Sequence, residues 1–169
     1  MALTLAAAFS AVPHTAIAHI VFSEPEARAG GYYTGFLRVG HGCADSPTVA
    51  LRVTIPEGVI TARPQPKPGW TLKIDKAALA KPIPAEGGGE ITQRVAAITW
   101  TGQLPVDQFD QFGISMKLPD TPGPLYFPVV QTCEHGENAW TVIAPDGAPT
   151  PRPAPKLMLA PSTTEHAHH

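Results

Sequence analysis

The chain is poor in charge. Asp, Glu, Lys and Arg make up 15% of its 169 residues, against roughly 25% in ordinary soluble domains. Twelve Lys and Arg stand against fourteen Asp and Glu. A net charge of −2 provides no basic footprint for a nucleic-acid partner. There are only two cysteines, Cys43 and Cys133, and they lack the C-x-x-C spacing of a structural zinc site. No Ser-His-Asp or Cys-His arrangement stands out for nucleophilic catalysis, and no internal repeat is present. No apolar run reaches the roughly 20 residues that span a bilayer. What the chain has in abundance is helix breakers, twenty prolines and fifteen glycines. At that density they argue against a helical bundle and for short strands joined by turns. The length suits one domain with a substantial core.

Alternation marks the strands. In Thr48–Ile55, Val49, Leu51, Val53 and Ile55 share one face and Arg52 and Thr54 the other. Trp70, Leu72 and Ile74 are expected to point inward, with Trp70 and Trp100 in the core. Phe112, Ile114, Met116 and Leu118 form another one-sided set. Ile20–Phe22, Gly35–Val39, Val95–Trp100, Leu125–Gln131 and Ala139–Ile143 complete about eight strands, an antiparallel β-sandwich. Arg63–Gly69 has proline at alternate positions and should stay off any central strand. Glu86–Glu90, with three consecutive glycines, reads as a hairpin loop. From Ala144 the chain turns Pro- and Ala-rich and reads as a flexible extension, with a last short strand at Lys156–Leu159. It ends in His166, His168 and His169, either a weak metal collector or a neutral tail.

The first residues read as an export signal. Leu3–Val12 is apolar and made of small residues, Pro13 breaks it, and Ala16-Ile17-Ala18 is an A-x-A cleavage pattern. No Lys or Arg precedes the apolar run. Residues 1–18 are thus expected to be a signal peptide, and the mature protein to be soluble and periplasmic or extracellular. Cleavage after Ala18 makes His19 the first residue. A terminal His offers its α-amino nitrogen and imidazole Nδ1 to one metal in a six-membered chelate. Two such nitrogens suit square-planar Cu(II) or Ni(II). In an exported chain, Cys43 and Cys133 read as one disulfide rather than a thiolate site. His41 and His135 each lie two residues from one of these cysteines, so a disulfide brings them into one neighbourhood.

These pieces resemble the YcnI family of exported copper-binding domains. The resemblance is carried by HIVF at 19–22, SPTVALRVTIPEGV at 46–59, RPQPKPGWTL at 63–72, ITWTG followed by LPVDQFDQFG, KLPDTPG, and LYFPVVQTCEHGENAW at 125–140. It runs from His19 to about Ile143 and implies a fibronectin-type-III-like β-sandwich at 19–143, with 144–169 as an extension. It also implies one Cu(II) held by the amine and imidazole of the N-terminal His and by a glutamate, beside a tryptophan. His19 matches the brace and Trp140 the tryptophan. The family's glutamate aligns with Gln111, a neutral and weaker donor. Glu134 and Asp110 are the substitute carboxylates.

The family implies copper trafficking or homeostasis, with copper-trafficking or membrane copper-transport proteins as partners, and no enzyme activity. Three scattered methionines are too few for a Met-rich Cu(I) site. A copper-dependent redox enzyme would need a second His, for which only His41 and His135 come into question. A structural exported module, with His19 incidental, is the third reading.

Overall fold

The computed structural model describes residues 19–85, 87–144, 148 and 150–162. The expected signal peptide and the terminal histidines lie outside the described residues. Twelve strands carry the fold, and none of the described residues is helical. They are β1 (Val21–Phe22), β2 (Glu26–Arg28), β3 (Tyr32–Val39), β4 (Thr48–Thr54), β5 (Ala62–Pro64) and β6 (Thr71–Pro84). There follow β7 (Glu90–Leu104), β8 (Asp110–Lys117), β9 (Gly123–Tyr126), β10 (Val129–Cys133), β11 (Glu137–Trp140) and β12 (Lys156–Ala160). One sheet has the order β1-β3-β8-β5 and a second β11-β10-β4-β7-β6; a small third sheet, β2-β12-β9, completes the sandwich.

The core forms where the alternating faces meet. Leu37 and Val39 of β3 and Phe112, Ile114 and Met116 of β8 face Leu51 and Val53 of β4, Ile98 and Trp100 of β7 and Val129 of β10. Phe112 sits edge-on to both Trp100 and Trp70, with ring centroids 5.5 and 5.0 Å away. The indole of Trp100 donates from Nε1 to the Gln65 carbonyl at 3.1 Å, so the buried polar atom costs little. RPQPKPG does stay off the central strands: its first two residues end β5, at the edge of the first sheet.

Two sequence expectations need correction. Leu72 and Ile74 do not point into a core; they are exposed. They lie on β6, the edge strand of the second sheet, which pairs with β7 in a hairpin far longer than the local pattern indicated. Trp70 packs against the core only partly, over Gly102, where any β-carbon would strike its ring. The hairpin turns through Gly88 and Gly89, both at positive φ, as the glycine run required.

The second correction concerns the C-terminus. The fold does not stop at Ile143. β12 lies between β9, antiparallel, and β2, parallel. This parallel pair is an exception in an otherwise antiparallel architecture. Leu157 and Leu159 are buried on β12, and Val142 bridges to Pro153. The short strand expected at Lys156–Leu159 is present, and it is a core strand rather than part of a flexible extension, because Leu157 and Leu159 face inward. Leu157→Ala is therefore expected to lower stability by about 2–5 kcal/mol, read as a reduced urea midpoint.

Candidate functional site

His19 owes its position to the two residues that flank Val21. Ile20 and Phe22 are buried. Alternation then leaves His19 and Val21 on the outer side. β1 is fixed on β3 through the pairs Val21–Arg38 and Phe22–Leu37. The chain is fastened again just beyond: Ser23 N–H donates to the Phe36 carbonyl at 2.9 Å. The Tyr33 hydroxyl donates to the Glu24 carbonyl at 2.5 Å. Burial, and secondarily the Glu24 charge, push the Tyr33 phenol up to about 12. It remains a neutral donor across the physiological range.

The His19 ring meets the edge of Trp140, with centroids 5.7 Å apart and planes at 60°. Trp140 is a core residue, 2% exposed. Its indole Nε1 donates to Gln131 Oε1 at 3.2 Å. Gln131 in turn donates from Nε2 to the His41 carbonyl at 2.7 Å and to Thr48 Oγ1 at 2.8 Å. An indole can only donate, so this network sets the amide's orientation. Gln131 is 1% exposed, and a satisfied buried polar group of this kind holds its neighbours in one arrangement. Sequence reasoning missed it. The available signal was a polar residue at an inward position of the alternating strand β10.

Gln111 shares a recess with His19. The recess has a volume of about 520 Å³ and is lined by His19, Val21, Arg38, Val39, Gly40, Phe109 and Gln111. Arg38 and Gln111 are cross-strand partners on β3 and β8. The Gln111 amide donates from Nε2 to Ser23 Oγ at 3.1 Å. Asp110 faces the other way. Its Oδ1 accepts from Lys67 Nζ at 2.7 Å and from the Gln111 backbone N–H at 2.7 Å. On its other side His19 lines a larger, mainly apolar recess of about 560 Å³, with Phe22, Tyr126, Val142, Ala154 and Lys156 among its walls.

The structure does not bring Glu134 to His19. Val129 pairs with Trp140 at one end of the β10–β11 hairpin and Thr132 with Glu137 at the other. Glu134 follows at that second end, where Gln103 Nε2 donates to its Oε1 at 2.9 Å, and it lines neither recess. Cys43 and Cys133 are disulfide-bonded. His41 and His135 flank this bond. His41 Nδ1 lies 2.5 Å from the Gly42 carbonyl, which can only accept, and His135 N–H donates to Ser46 Oγ at 2.8 Å.

Among the described residues, no three His, Cys, Asp or Glu side chains gather as a metal site. A chelate made by one terminal residue requires no such cluster. An exposed imidazole beside an amide oxygen donor fits a borderline cation that accepts nitrogen, and does not fit a hard cation that demands several carboxylates. No helix among the described residues is long and apolar enough to cross a membrane.

Residues 19–159 match a family described as a domain of unknown function, DUF1775. No curated protein matches the chain. A solved structure of an uncharacterized protein from Nocardia farcinica, with an immunoglobulin-like fold, is similar. It shares 30% identity and a TM-score of 0.63, and the match covers 84% of this chain and 98% of that one.

Proposed function

The chain belongs to the DUF1775 family, and we propose that it is an exported Cu(II)-binding protein of copper trafficking or homeostasis, with the metal held by His19 as the mature N-terminal residue. The observation that carries this reading is the setting of His19. It is the residue directly after the A-x-A pattern, it is exposed, and it stands on the wall between two recesses, against the edge of a buried tryptophan. Cu(II) displaces the protons of an amine and an imidazole when it binds them. The resemblance to the YcnI family supports copper over nickel. Gln111 supplies a neutral amide oxygen on the same recess. A binding role fits better than a redox enzyme, because neither His41 nor His135 lines a recess with His19. The partners of such a protein are copper-trafficking or membrane copper-transport proteins.

Electron paramagnetic resonance of the mature protein loaded with Cu(II) tests this directly, because it reports nitrogen count and geometry together. Two nitrogens from one residue are expected; a spectrum of free aqueous copper would refute the reading. Gln111→Glu is expected to tighten Cu(II) binding by roughly tenfold, or about 1.4 kcal/mol, by placing an anion beside the ion in a partly dry recess. Arg38 across the strand pair keeps that carboxylate ionised. Gln111→Ala should change affinity little, since water replaces a neutral amide. Glu134→Gln is the control: a strong loss there, with no response at Gln111, would move the carboxylate to Glu134.

A further inference from the structure

Among the described residues, neither recess that borders His19 is lined by an acidic residue. The recess shared with Gln111 contains instead a cation, Arg38, which forms no ion pair with any described residue. A divalent ion bound at His19 therefore faces a guanidinium with no chain carboxylate between them. One anion placed in the recess offsets both charges. A guanidinium presents a planar fork of donors that matches a carboxylate. The remaining walls are apolar: Phe109 is 74% exposed and Val21 37% exposed. The volume of about 520 Å³ falls in the range of small-molecule sites.

We infer that this recess binds a small organic monocarboxylate with an apolar tail, its carboxylate set between Arg38 and the copper ion at His19 and its tail against Phe109 and Val21. The inference rests on the copper reading of His19 and adds a ligand class to it. An acid bound there holds the metal more tightly, so the acid's concentration tunes retention of the metal.

The experiment uses the mature protein beginning at His19, loaded with one equivalent of Cu(II) and titrated with benzoate, a weak copper ligand on its own. A saturable change in the paramagnetic resonance spectrum is expected. Arg38→Gln, on the outer face, should raise the half-saturating concentration about tenfold, the equivalent of one charge-assisted hydrogen bond. Gln111→Glu should abolish the response by supplying a carboxylate from the chain. Benzamide, which has the same ring and no charge, should have no effect. Copper binding without a benzoate response overturns this inference alone, as does an equal response in Arg38→Gln or to benzamide. Failure to load copper overturns the function and this inference together. A blocked peptide with a central glutamate is the remaining arm: tighter binding than benzoate would assign the recess to a protein carboxylate and overturn the small acid.

Discussion

Protein with a single additional residue before His19 is expected to bind Cu(II) at least about a hundredfold more weakly than protein beginning at His19, a loss of about 2.7 kcal/mol. The chelate needs a free α-amine next to the imidazole. An added residue turns that amine into an amide, whose nitrogen donates to a metal only after losing a strongly held proton. The imidazole remains in place, because Ile20 and Phe22 anchor β1 whatever precedes it. The effect is thus one of donor chemistry and not of folding. His19→Ala should cause a similar loss with an unchanged melting temperature, as an exposed side chain contributes little to the core. Both variants are measured by competitive titration against a chelator of known affinity. Equal affinity in the processed and extended forms would remove His19 from the site.

Replacing both Cys43 and Cys133 by alanine is expected to destabilise the fold by about 4 kcal/mol in the chain-entropy account. The cysteines are separated by 90 positions, so the bond closes more than half of the chain. For a domain of this size the melting temperature should fall on the order of 10 °C. The bond also ties the loop after β3 to the end of β10. That loop supplies the His41 carbonyl to Gln131, and Gln131 orients Trp140. Loss of the bond should therefore lower copper affinity by a few-fold through looser support of the His19 ring. Calorimetry and copper titration on the same variant separate the two effects. An unchanged melting temperature would show that the bond constrains nothing in the unfolded chain.

The sheets were legible wherever a strand buries one face only. β8 alternates without interruption and its inward set matches the core; in β4 Leu51 and Val53 match, but a register shift between Thr48 and Ala50 turns Thr48 inward and leaves Val49 only partly buried. β6 alternates equally well but sits at an edge, where nothing covers Leu72 and Ile74. Alternation reports that a strand has two faces and is silent on whether either is covered. β2, at three residues, and β12, within a proline-rich stretch, were too short for periodicity to mark firmly. In the candidate site, His19 was legible because of the cleavage pattern before it, and the outward face of Gln111 followed from the alternation of β8. Arg38 and Phe109 were not legible. Their significance arises from a cross-strand register and from a loop folded beside β1, which join residues some 70 to 90 positions apart. That no carboxylate of the described residues lines the recesses at His19 is likewise a property of the folded surface alone.

The parallel pairing of β2 with β12 joins residues at the two ends of the domain, Glu26 with Met158 and Arg28 with Ala160. It is among the longest loops the chain closes, and such closures are slow. Synthesis delivers β12 last, so β2 waits unpaired until nearly the whole domain has been made. Pro153, Ala154 and Lys156, which wall the larger recess beside His19, arrive in the same late step. Until that strand docks, the larger recess beside His19 has no finished wall on its far side. On the copper reading proposed above, a metal held at His19 is enclosed on both sides only after this last strand has docked.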